Sequence, residues 1–165
     1  MKARTMADQV YKSQPRADAV QALYRQVLDT WPVPKTELTI PTRQGDTFVI
    51  ASGSDDSPPV SLLHGAQANS AAYMFEVALF ARHFRVYAVD MIGEAGFSAG
   101  VRPPLDTEDH ANWLDDVYQG LGLSRAALVG TSLGGWLALD YISRRPDAVS
   151  ALALLCPGGI GKQKN

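Results

Sequence analysis

A serine set between glycines, Gly130-Thr131-Ser132-Leu133-Gly134 followed by Gly135, is the pattern in this chain best suited to covalent chemistry. A serine hydroxyl attacks a carbonyl only when a base takes its proton, and it attacks best from a sharp turn that lifts it clear of the backbone. Such a turn strains the serine and leaves no room for side chains beside it, a requirement that Gly130 and Gly134 meet. The five-residue pattern alone recurs by chance, so its context decides. Residues 126–129 read as an apolar strand and 133–143 as a helix, which puts Ser132 at a strand-to-helix junction. The Leu133 N–H then sits in the first helical turn, without an intrahelical acceptor and near the positive end of the dipole. That makes it a donor for a developing oxyanion. A helix-capping serine would explain Ser132 but neither the paired glycines nor the strand before them.

A junction of this kind needs a sheet behind it, and the rest of the chain supplies one. Residues 17–28 place Val20, Leu23, Tyr24, Val27 and Leu28 at helical spacing, and the run ends at Trp31-Pro-Val-Pro34. Two extended runs, 36–40 and 47–51, flank Arg43-Gln-Gly-Asp46, a hairpin turn. Residues 52–59, rich in Gly, Ser, Asp and Pro, read as a loop. From residue 60 the pattern alternates: strand 60–63, helix 73–84, strand 86–89, helix 107–121 with Trp113, Leu114 and Val117 on one face, strand 126–129, helix 133–143, strand 151–155. Alternation means right-handed crossovers and a parallel sheet covered on both faces, with strands that read as continuous apolar runs. The fold class is α/β, with an antiparallel pair leading a mostly parallel sheet.

Two further segments lie at strand ends: Leu62-Leu63-His64-Gly65-Ala66, and Asp90-Met-Ile-Gly93-Glu-Ala-Gly96-Phe-Ser98. Together with the serine turn, in this order, they resemble the α/β-hydrolase superfamily over most of residues 60–157. Asp90-Met-Ile-Gly-Glu, Ala111-Asn-Trp-Leu-Asp-Asp-Val and Val129-Gly-Thr-Ser-Leu-Gly-Gly are similar to bacterial carboxylesterases within it. The second segment departs from the family pattern, its second glycine being displaced by one to Gly96. The resemblance implies ester or thioester hydrolysis through an acyl-enzyme on Ser132, without a metal or organic cofactor. It implies oxyanion donors at Ala66 and Leu133, and structural roles near the site for His64, Gly65, Gly130 and Gly134. It also implies that Asp90 shapes a turn. On this reading residues 1–34 form an N-terminal helix and linker, and 35–165 the N-terminal part of the hydrolase domain.

In this family the order along the chain is serine, then acid, then histidine. After Ser132 the acids are Asp140, inside a helix, and Asp147, in the turn at the far end of the last strand. No histidine follows His110. Three explanations stand: a missing C-terminal half that supplies the acid, the histidine, further strands and the lid; a short natural protein serving as a binding or assembly module; or His64 as an irregular base. An acyltransferase would keep Ser132 and pass the acyl group to another acceptor. A dehalogenase would carry aspartate at position 132, and the glycine spacing lacks the Lys-Ser/Thr ending of a phosphate loop. Strand 151–156 is expected to pair on both sides, its outer partner coming from that missing half or, failing that, from a neighbouring copy.

Composition narrows the partners. Of 165 residues, 15 are Lys or Arg and 17 Asp or Glu, so no basic field for nucleic acid or an anionic membrane surface arises. Lys2 and Arg4 are followed by no apolar segment, and residues 152–156 are too short to span a bilayer. A single cysteine, Cys156, excludes an internal disulfide framework and fits a reducing compartment. The expectation is a cytoplasmic protein acting on a small-molecule ester, with no metal; Tyr73 and Phe97 either line its cleft or pack beneath the loops.

Overall fold

The computed structural model describes residues 10–159; Lys2, Arg4 and the tail beyond Gly159 lie outside the described residues. In chain order the elements are α1 (Gln14–Asp29), β1 (Lys35–Ile40), β2 (Thr47–Ser52), β3 (Pro59–Leu63), a 3₁₀ turn (Ser70–Tyr73), α2 (Val77–Phe80), β4 (Arg85–Val89), α3 (Asp109–Gly120), β5 (Ala126–Thr131), α4 (Leu133–Arg144) and β6 (Val149–Leu155). They build one sheet of order β1-β2-β4-β3-β5-β6. β1 and β2 pair antiparallel, as do β2 and β4; β4, β3, β5 and β6 run parallel. This is the α/β architecture that the alternation of strand and helix dictates.

Successive side chains on a strand point to opposite faces, so each buried strand feeds two cores. Phe48, Ile50, Val60, Leu62, Val86, Ala88 and Val129 face α1 and the segment 70–84. Val49, Ala51, Leu63, Tyr87, Val89, Ala126 and Leu128 face α3 and α4. With both faces covered, the central strands have no need of polar alternation, which is why they read as continuous apolar runs. Trp113, Leu114 and Val117 are buried together on α3, as their spacing requires.

Two expectations change. The helix expected over 73–84 is broken into the 3₁₀ turn and the single turn of α2. Its residues favour helix, but the Tyr73 hydroxyl donates to the Leu63 carbonyl (2.8 Å) and Ser70 is tied to Asp90, and these anchors override local preference. In α1 the buried side is Ala17, Tyr24 and Leu28, while Val20 and Leu23 are exposed. The Tyr24 hydroxyl donates to Asp90 Oδ1 (2.9 Å), which fixes the rotation of the helix. β6 pairs only with β5 among the described residues, with Ala151, Ala153 and Leu155 exposed. The outer partner expected for this strand is one from outside the described residues.

Candidate active site

The carboxyl ends of β3, β4 and β5 converge, and Ser132 stands where β5 gives way to α4. Its backbone is at φ 52° and ψ −111°, a conformation that non-glycine residues adopt only when the surroundings enforce it. The surroundings do so through the main chain. The Ser132 N–H donates to the Leu155 carbonyl (2.9 Å), and its own carbonyl accepts from Trp136 N–H (3.0 Å) and Gly158 N–H (2.9 Å). The side chain is left out of this network: it is exposed, and its hydroxyl has no hydrogen bond among the described residues.

The two glycines are there for lack of space. A Cβ at Gly130 would stand 2.4 Å from the Gly134 carbonyl oxygen, and one at Gly134 would stand 2.2 Å from the Leu63 oxygen and 2.5 Å from the His64 oxygen. Those neighbours are backbone and cannot swing aside. Gly134→Ala is therefore expected to lower stability by about 2 kcal/mol or more and to misplace Ser132. Thermal melting together with fluorophosphonate labelling checks this; wild-type values for both would show that the turn relaxes freely.

Residues 64–67 form the loop after β3 and lie against Ser132. A Cβ on Gly65 would stand 3.5 Å from the Ser132 Cβ, and the His64 carbonyl accepts from Gly134 N–H (3.1 Å). Leu133 N–H opens α4 without a side-chain cap, and Ala66 N–H has no acceptor among the described residues. Ala66 and Leu133 line a common cleft of about 300 Å³, together with Gln67, Met91, Glu94, Arg102, His110 and Leu137. On the other side of the loop a second cleft of about 360 Å³ is lined by Gly65, Tyr73, Phe80, Thr131 and Leu155. A larger cleft of about 520 Å³, between Lys35, Gly53 and Arg85, sits at the opposite end of the sheet, far from the serine.

His64 is buried and fully engaged. Met91 N–H donates to Nε2 (2.9 Å), so the ring proton resides on Nδ1, which donates to the Gly65 carbonyl (2.8 Å). Burial lowers its pKa below the usual histidine value, with the nearby Asp90 and Glu94 charges opposing. The imidazole is neutral and braces the loop. Asp90, 0% exposed, accepts from Tyr24 hydroxyl, Ser70 N–H and Oγ–H at Oδ1, and from Phe97 N–H at Oδ2 (2.9, 2.8, 2.7 and 2.9 Å). The displaced glycine has its reason here: a Cβ on Gly96 would lie 2.3 Å from Asp90 Oδ2.

Tyr73 lines the second cleft, its hydroxyl reaching the Leu63 carbonyl and Thr131 Oγ1 (3.1 Å). Phe97 instead stacks on Tyr24 (4.8 Å between centroids) and meets Phe48 edge-on (5.1 Å), so it packs beneath the loop. Of the acids after Ser132, Asp140 is paired with Arg144 (2.9 Å) on α4, and Asp147 lies in the turn entering β6, at the far end from Ser132. Sequence reading overlooked Gln67, Glu94 and His110. Glu94 accepts a hydrogen bond from Gln67 N–H, and His110 Nδ1 is buried without a partner among the described residues. No local signal marks them, because tertiary packing alone brings these loops and α3 to the serine.

Residues 58–163 match the family described as alpha/beta hydrolase fold. Over 134 residues the chain is 40% identical to an uncharacterized carboxylesterase, nap, of Bacillus subtilis, covering 81% of this chain and 45% of that protein. It is 37% identical to carboxylesterase YbfK of the same organism, with the same coverage of both. Among solved structures, naproxen esterase (carboxylesterase NP) of B. subtilis superposes with a TM-score of 0.77 at 38% identity, over 86% of this chain and 49% of that one. The chain thus spans about half the length of the relatives it matches. No helix among the described residues is long and apolar enough to cross a membrane.

Proposed function

Because the chain belongs to the α/β-hydrolase fold family, we propose that Ser132 is the nucleophile of a carboxylesterase that works through an acyl-enzyme. The observation that carries this reading is the strained, main-chain-anchored and otherwise unengaged Ser132, whose hydroxyl stands exposed against the residue 64–67 loop. In the first half-reaction Oγ attacks the ester carbonyl while a histidine takes its proton. The carbonyl oxygen becomes an oxyanion between Ala66 N–H and Leu133 N–H, and the alcohol leaves with the proton. Water then repeats the sequence on the acyl-enzyme and releases the carboxylic acid.

The base and its acid are proposed to come from outside these 165 residues. His64 has both ring nitrogens occupied, Asp140 is ion-paired on α4, and Asp147 is at the wrong end of β6. The open edge of β6 supports a continuation of the sheet there. Cytoplasmic location and a small ester substrate complete the proposal.

The test compares the 165-residue chain with the complete protein on p-nitrophenyl acetate. The complete protein is expected to turn over, and the 165-residue chain is not, since a serine without a base stays a weak nucleophile. Sustained turnover by the purified 165-residue chain would place the base inside it and overturn the proposed division.

A further inference from the structure

Besides the bond from Gly134 N–H to the His64 carbonyl, the segment after β4 holds the loop that carries Ala66 at two points. At its start, Met91 N–H donates to His64 Nε2 (2.9 Å). At its end, the Glu94 carboxylate accepts from Gln67 N–H. Gln67 sits at φ 59°, a left-handed conformation that costs a non-glycine residue free energy and does not persist without restraint. Glu94 is itself buried, 9% exposed, and its main chain is fixed by the hydrogen bond from Gly96 N–H to its carbonyl (3.0 Å). Arg102 stands 4.0 Å from its other carboxylate oxygen and donates through Nε to the Gly93 carbonyl (2.7 Å).

A carboxylate here is chemically awkward. It lines the same cleft as Ala66 and Leu133, where a negative oxyanion would develop, and a like charge opposes that charge. Charge therefore does not explain Glu94, whereas geometry does. Its acceptor oxygen closes the turn at Gln67, leaving the adjacent Ala66 N–H unbonded and fixed in direction, and the Arg102 guanidinium offsets the charge.

We infer that Glu94 is a positioning residue, which clamps the strained Gln67 peptide and thereby aims the Ala66 N–H at the oxyanion. This inference rests on the proposed role of Ser132. A donor displaced by an ångström forfeits much of its stabilisation, so loss of the clamp falls on kcat and spares KM.

The test uses three variants of the complete protein. Glu94→Gln keeps an acceptor oxygen and is expected to hold kcat within about fivefold. Glu94→Met, close in volume but unable to accept, is expected to lower kcat about 10- to 100-fold with KM within twofold, and Glu94→Ala to behave likewise. Amide hydrogen exchange at Gln67 should speed up at least about tenfold in Glu94→Met, while amides in β3 and β5 keep their protection. Wild-type kcat and Gln67 protection in Glu94→Met would overturn the clamp. So would a marked rate gain in Glu94→Gln, which would show charge at work, or a 100-fold loss there. If Glu94→Met does not fold, Glu94→Ala carries the same two readings of kcat and Gln67 exchange. The two readings fail separately: an active Ser132→Ala removes the role of Ser132, whereas an inactive Ser132→Ala beside a fully active, fully protected Glu94→Met removes only the clamp.

Discussion

Ser132→Ala in the complete protein is expected to lower kcat for p-nitrophenyl esters by roughly 10⁵- to 10⁶-fold, leaving about 10³-fold catalysis over water from the oxyanion donors and binding. The fold should survive intact. The Ser132 side chain is exposed and bonds to nothing among the described residues, while the contacts that enforce its backbone angles are main-chain bonds that alanine keeps. Stability is therefore expected within about 0.5 kcal/mol of the parent. Steady-state kinetics and a denaturation curve on the same preparation separate the two effects. Activity within tenfold of the parent, in enzyme freed of contaminants, would refute the assignment.

The largest loss of stability is expected at Asp90, which touches no candidate reacting atom. Its carboxylate, fully buried, holds α1 through Tyr24, the 3₁₀ turn through Ser70 and its own loop through Phe97. Asp90→Ala leaves those donors without an acceptor, and a buried unsatisfied donor costs about 1–3 kcal/mol. Two or three such donors give a loss of about 4 kcal/mol or more, a large part of the 5–15 kcal/mol typical of a domain. Tyr24→Phe removes only one partner and is expected to cost about 1 kcal/mol. Urea denaturation of both variants checks the ranking. A midpoint for Asp90→Ala close to that of Tyr24→Phe would contradict the role of Asp90 as the shared anchor.

The parts of this molecule legible in its sequence are those set by short-range rules. The central strands are largely apolar because two layers cover them, and the glycines around Ser132 mark where backbone crowds backbone. The contact between the loop after β3 and the start of α4, where Gly134 N–H meets the His64 carbonyl, was not legible in the sequence. What stayed illegible depends on distant partners. Residues 73–84 have the composition of a helix, yet the bond from Tyr73 to Leu63 breaks it. Val20 and Leu23 fit the apolar stripe of α1, but Tyr24 turns that stripe toward Asp90. Glu94 reads as a surface acid in a glycine-rich loop, and only the tertiary fold sets it beneath Gln67. Residues 151–156 read as a central strand because each of them is apolar, whereas among the described residues β6 pairs with β5 alone.

The most direct measurement is the site of covalent labelling. The complete protein, reacted with a fluorophosphonate and cleaved after arginine, yields a peptide spanning residues 126–144 that contains Thr131, Ser132, Tyr141 and Ser143. Fragmentation of that peptide is expected to place the phosphonyl group on Ser132 alone, with ester hydrolysis lost in proportion to labelling. An adduct on any other residue, or unlabelled protein that still hydrolyses esters, would contradict the assignment of Ser132 as the nucleophile.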